Sequence, residues 1–173
     1  MKKCKSRSQI TKLRRLTKTT LILSVMFLLA SACNQKTDKT LYHTPLLVGE
    51  QKILVKVAKM PNEQKKGLSG QRKLSNEQGM LFDFSNLFSN PSPQKERVTF
   101  WMKDMLFDLD LIWIRQNKII GITPNVPAPQ KNTPDSELIL YISPDTVDKV
   151  LEVNAGWSEK NNIRVGEEVQ LIK

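Results

Sequence analysis

Arg97-Val98-Thr99-Phe100-Trp101-Met102-Lys103-Asp104-Met105-Leu106-Phe107-Asp108-Leu109-Asp110-Leu111-Ile112-Trp113-Ile114 is the densest run in the chain. Arg97 to Met102 and Leu106 to Ile114 have the β-branched and aromatic content of strands, and Lys103-Asp104-Met105 reads as a tight connection between them. Arg115 to Lys118 then turns the chain into Lys118 to Thr123, which gives a second hairpin in series. Upstream, Ile53, Val55 and Val57 alternate with Leu54, Lys56 and Ala58, a strand by period two, and Met80 to Phe84 forms the next. Downstream, Leu138 to Ile142, Lys149 to Asn154 and Glu168 to Ile172 complete a sheet.

Helical signals are brief. Pro61 opens a turn through Glu63 and Gln64 that Gly67 closes. Ser75 and Gln78 have capping-box spacing before Gly79, Ser143-Pro144 supplies a cap and first position, and Ser158 caps one further turn. Ser85 to Pro93 and Thr123 to Asp135 are rich in Ser, Asn and Pro and read as long loops, the first with the character of a lid. The expectation is a mainly β domain over residues 45–173: a β-sandwich or partly open, jelly-roll-like barrel with two to four short helices.

The formal net charge is +10, which taken whole invites a nucleic-acid partner. Its distribution removes the invitation. Eight basic residues precede residue 19, no acidic residue precedes Asp38, and from Cys33 onward 19 basic residues face 17 acidic ones. A basic stretch, the apolar run Leu21 to Leu29 and the small residues Ala30-Ser31-Ala32 are the three parts of a signal peptide, residues 1–32. As a helix, residues 19–32 would span about 21 Å, short of the roughly 30 Å hydrocarbon core. Leu29-Ala30-Ser31-Ala32-Cys33 resembles the lipobox of bacterial lipoproteins, with Ala30 where Leu is commonest. The resemblance implies a lipid on Cys33, a tether over 33–44 and a membrane-anchored envelope location. Soluble secretion after ordinary cleavage and an uncleaved anchor are the alternatives. Cys4 lies in the leader, so the exported domain can form no internal disulfide.

Four further patterns bear on chemistry. Asp108 and Asp110, two apart on a predicted strand, would project to one face about 6.6 Å apart, near the separation used by inverting glycosidases and suited to a hard cation. Asp110 also shares its side with Ile112 and Ile114, which predicts burial and a partner such as Lys103 or Arg72. Met102 and Met105, with Met80, offer soft sulfurs for Cu(I), although core filling is the commoner use. Trp101, Trp113, Trp157 and Tyr141 form either an aromatic platform or core. Glu63, Arg72 and Lys103 are charges that could ring a pocket for an anionic or zwitterionic ligand. Without a histidine beyond His43 in the tether, neither a Ser-His-Asp triad nor a His-ligated zinc is available, and no Gly-rich phosphate loop occurs.

Phe100 to Ile114, together with Glu63 to Arg72, Gly79-Met80-Leu81-Phe82-Asp83-Phe84 and Leu151-Glu152-Val153-Asn154-Ala155-Gly156-Trp157, resembles the domain-of-unknown-function 192 family of exported proteins. The resemblance covers most of residues 50–172 and implies a small, mainly β domain with no established activity. The functional expectation is a non-enzymatic envelope module, without metal, cofactor or nucleic acid, that binds a small ligand or envelope component through Arg72, Trp101, Lys103 and Asp110. A carboxylate hydrolase using Asp108 and Asp110 is one alternative, and a purely structural or assembly factor is the other.

Overall fold

The computed structural model describes residues 42–85 and 97–172. The leader, Cys33, most of the tether and the predicted lid loop beyond Ser85 lie outside the described residues. The strands are β1 (Thr44–Val48), β2 (Gln51–Ala58), β3 (Gln78–Asp83), β4 (Thr99–Phe100), β5 (Leu109–Arg115), β6 (Lys118–Val126), β7 (Tyr141–Ile142), β8 (Lys149–Asn154) and β9 (Val169–Leu171). Two short helices, α1 (Pro61–Lys66) and α2 (Trp157–Lys160), and a 3-10 turn at Asp135–Glu137 join them. Seven strands form one curled sheet in the order β6-β5-β8-β3-β2-β1-β9, a partly open barrel, and β4 and β7 pair in a separate ribbon. Within the curled sheet every neighbouring pair is antiparallel except β2 and β3, which α1 connects in parallel. No helix among the described residues is long and apolar enough to cross a membrane.

The sheet is covered on both faces. Along β8, Val150 belongs to one apolar cluster and Leu151 and Val153 to another; along β5, Leu111 and Trp113 alternate in the same way with Ile112 and Ile114. Central strands in that position need apolar residues at every step, which explains the unbroken run Leu111 to Ile114. The β5–β6 turn is set by Gln116 and Asn117 at φ 51° and 61°, the paired positive values that match strand twist in a two-residue hairpin. At α1, Glu63 accepts hydrogen bonds from the Lys59 and Met60 amides, and Gly67, at φ 50°, ends the helix.

Several expectations change. The stretch Arg97 to Ile114 is not a hairpin. Between Arg97 and Met102 only Thr99 and Phe100 are strand, and they pair not with β5 but with Ile142 and Tyr141. Lys103 and Asp104 instead turn against the loop after α1, where Ser69 Oγ donates to the Lys103 carbonyl at 2.9 Å and the Gly70 amide to the Asp104 carbonyl at 2.9 Å. Ser143-Pro144 starts no helix, because Ser143 is spent on the ribbon. Its amide donates to the Val98 carbonyl, and its hydroxyl accepts from the Val98 amide while donating to the Asp145 carbonyl. Gly79 lies inside β3 rather than ending a helical turn, and Ser158 is not the cap of α2.

The group that holds the start of α2 is Asp110. It is fully buried, and its carboxylate accepts hydrogen bonds from the amides of Asn125 at 2.9 Å, Gly156 at 3.0 Å and Ser158 at 2.9 Å. Three N–H groups take the place of the cation expected for it. The side chain thereby ties β5, the end of β6 and the β8–α2 turn into one unit. Asp110→Ala strands these donors in the interior and is expected to cost roughly 3 kcal/mol. Urea denaturation would show this as a lower midpoint with an unchanged slope.

Candidate functional site

The structure brings two of the four expected site residues together. Lys103 Nζ lies 5.5 Å over the Trp101 ring and also pairs with Asp135, whose hydrogen bond holds the ammonium pKa above its ordinary value. Trp101 is 44% exposed, so one side of the indole stays open to solvent. Arg72 stands exposed in the loop after α1. Asp110 does not join them, since its oxygens are taken by Asn125, Gly156 and Ser158. Asp108 precedes β5, is exposed and accepts from the Ala128 amide, so the two aspartates form no open pair. The parity argument fails because the strand begins one residue after Asp108.

The remaining sequence candidates are structural. Trp113 and Trp157 are buried, each with its indole N–H satisfied, by Thr123 Oγ1 and the Asn76 carbonyl respectively. Met80, Met102 and Met105 are buried in the first apolar cluster. Among the described residues no group of three or more His, Cys, Asp or Glu could hold a metal ion.

The site itself is a cleft of about 300 Å³ next to Trp101. The α1 end and the following loop, Gln64 to Ser69, form one wall, and Val98 to Trp101 form the other. Phe82, Phe84, Met105 and Glu152 complete the lining. Its aromatic rings are interlocked: Phe100 meets Phe82 edge-on at 4.9 Å, Phe84 at 6.3 Å and Trp113 at 5.8 Å. Such edge-on contacts fix the ring positions around the cleft. Gln64 sits where the parallel strands end, its Nε2 donating to the carbonyls of Ala58 at 3.3 Å and Asp83 at 3.0 Å.

Glu152 is the residue that sequence reasoning missed. It lies on β8 between Met80 and Leu111 in register, on the face shared with Val150. It is 5% exposed, and its Oε2 has no hydrogen-bond partner. Burial alone pushes the carboxyl pKa to about 8, with no neighbouring cation opposing the shift. The side chain is therefore neutral through most of the physiological range. A signal was present in the sequence: Val150-Leu151-Glu152-Val153 sets one acid within an otherwise apolar run.

A second groove, about 450 Å³, lies between Gln51 to Ile53, Asn76 and the β8–α2 turn. It is larger, but none of its lining residues carries a buried unpaired polar atom. The other two such atoms in the described residues are Asp148 Oδ1, 3.6 Å from Lys149 Nζ, and Ser158 Oγ. Neither residue lines the cleft.

A mainly β, half-barrel domain with an aromatic cleft over a buried acid defines a class of small α-poor domains. The family model for DUF192, described as an uncharacterised ACR, matches residues 45–171, and the chain belongs to that family. Two solved structures are similar. One, from Sinorhizobium meliloti 1021 and provisionally described as a transcription regulator, is 26% identical with a TM-score of 0.58, covering 74% of this chain and 91% of that one. The other, a protein of unknown function from Novosphingobium aromaticivorans DSM 12444, is 22% identical with a TM-score of 0.56, covering 73% and 82%. No curated protein sequence matches the chain.

The raised pKa of Glu152 has a thermodynamic consequence. Between the ordinary value of 4.5 and about 8, the folded protein keeps a proton that the unfolded chain releases. Folding stability contributed by this group is thus full below the lower value and falls as pH rises through the window, by up to about 1.4 kcal/mol per pH unit. Glu152→Gln keeps the shape and cannot ionise. Its melting temperature is expected to match the parent near about pH 5 and to exceed it by several degrees near about pH 9. Parallel pH profiles for the two proteins would mean that Glu152 is not neutral in the fold.

Proposed function

We propose that this chain is an exported envelope protein, anchored by a lipid on Cys33, whose β domain binds a small ligand in the cleft over Glu152. One observation carries the binding reading: an open cleft walled by aromatic rings ends on a buried carboxyl whose Oε2 has no partner among the described residues. An apolar cavity with a single polar group inside is the usual design of a small-molecule site. Left empty, the same carboxyl only costs stability, since an apolar residue of similar size would pack there without penalty.

The alternatives fit less well. The hydrolase reading needs Asp108 and Asp110 facing one open cleft, and Asp110 is sealed by three amides. A purely structural factor predicts no concavity at Trp101, yet Trp101 lines one. The description of the S. meliloti relative suggests regulation. With 19 basic against 17 acidic residues from Cys33 onward, this chain offers little charge to neutralise phosphates, so a regulatory role would run through a bound small molecule.

Export is supported by the basic, apolar and small-residue order of the leader and by the lipobox-like end at Cys33. Replacing Cys33 with Ser is expected to move the protein from the membrane fraction to the soluble one; retention in membranes would instead indicate an uncleaved anchor. For the cleft, a fragment screen by saturation-transfer NMR on the detergent-solubilised full chain is expected to find binders that Glu152→Met and Trp101→Ala both weaken. Binders indifferent to both substitutions would place the site elsewhere.

A further inference from the structure

We infer that the cleft takes a small organic cation, a protonated amine on a compact apolar or aromatic body, held by the carboxylate of Glu152. The inference rests on the small-ligand reading above and names the class of ligand.

The polar groups of the cleft ask for a donor. Gln64 has both amide hydrogens committed to the carbonyls of Ala58 and Asp83, which fixes the orientation of the amide and leaves Oε1, an acceptor, as what it can offer. Glu152 brings a carboxyl whose inner oxygen is unpaired. An anionic ligand would meet an acceptor at Gln64 and could use only the single proton that neutral Glu152 holds. A hydroxyl could satisfy one of them. An ammonium carries three donors and can satisfy Glu152 with others to spare.

The apolar lining suits a cation too. Phe82, Phe84, Phe100 and Trp101 present ring faces and edges around the cavity, and the electron-rich face of an aromatic ring attracts positive charge. Lys103 over Trp101 shows the indole already accepting a cation on the protein's own side chain. The charged groups facing the cleft are few. Lys65 and Lys66 of α1 line its mouth and are exposed, Lys103 is held by Asp135, and β3 and β5 place Met80 and Leu111 beside Glu152. Among the described residues, the cleft thus holds an acid inside and no cation paired with it. The mouth lysines disfavour a second positive charge on the outer end of the ligand. At about 300 Å³ the cavity is at the small end of ligand sites and suits a single-ring amine.

Binding then moves a proton. Near neutral pH the free protein holds Glu152 as the acid, and the incoming ammonium favours the carboxylate. Glu152 releases its proton to solvent as the ion pair forms, the ligand nitrogen stays protonated, and no bond in the ligand changes.

Three probes sharing one ring test this: phenethylamine, 2-phenylethanol and 3-phenylpropionate. Each is titrated calorimetrically into the detergent-solubilised full chain at about pH 7, in two buffers of different ionisation enthalpy. The amine is expected to bind at least about tenfold more tightly than the alcohol or the acid. It is also expected to release close to one proton per ligand, visible as a buffer-dependent heat. Glu152→Gln should abolish that release and weaken the amine by about tenfold or more. Alcohol or acid binding as tightly as the amine, with no proton released, would overturn the cation inference and leave the small-ligand site standing. No binding by any of the three, with the parent folded, would overturn both.

Discussion

Both faces of β5 and β8 are covered by apolar clusters, so side chains in the middle of either strand are almost wholly withdrawn from water. A polar group placed there must be fully paired inside or give up its charge. The two acids on these strands take the two exits. Asp110 gathers three backbone amides and becomes the clamp that joins β5, β6 and the β8–α2 turn. Glu152, one register step away across the β5–β8 pair and on the other face, gathers no donor for its Oε2 among the described residues. The same constraint yields a structural carboxylate on one face and a neutral, unsatisfied acid on the other.

What the sequence made legible is what its local chemistry decides. Alternation at Ile53, Val55 and Val57, the turn at Gln116-Asn117 and the start of α1 at Pro61 each depend on a few neighbouring residues, and each is found. Two of the departures are non-local. Thr99 and Phe100 have strand composition, but their partner is 41 or more positions away at Tyr141–Ile142, and nothing near them announces it. Ser143-Pro144 has the local form of a helix start, yet the Ser143 hydroxyl is drawn to the Val98 amide, a distant group that outcompetes the local one.

The site follows the same division. Trp101 and Lys103 were legible as unusual residues in a dense stretch, and they meet at the cleft rim. Asp108 and Asp110 looked alike because spacing carries no information on where a strand begins; a boundary one residue later separates an exposed side chain from a sealed one. Glu152 escaped notice because an acid in a short strand usually faces solvent, and only the two-sided burial of β8 removes that option. Its importance lies in the sheet order, which no local window contains.

The cleft also explains why the rigid parts are where they are. A cavity beside an unsatisfied acid tends to collapse, since filling it would recover contacts and an apolar residue in place of the acid would remove the desolvation cost. Two features resist collapse here. The edge-on packing of Phe100 against Phe82, Phe84 and Trp113 sets ring positions from three sides, and Gln64 pins α1 to the ends of β2 and β3 through two carbonyls. Parts that hold a void open around a group costing stability are the mark of a fold that gives up some stability for binding. On that argument Glu152, whose burial works against folding, is the group on which the proposed binding site rests.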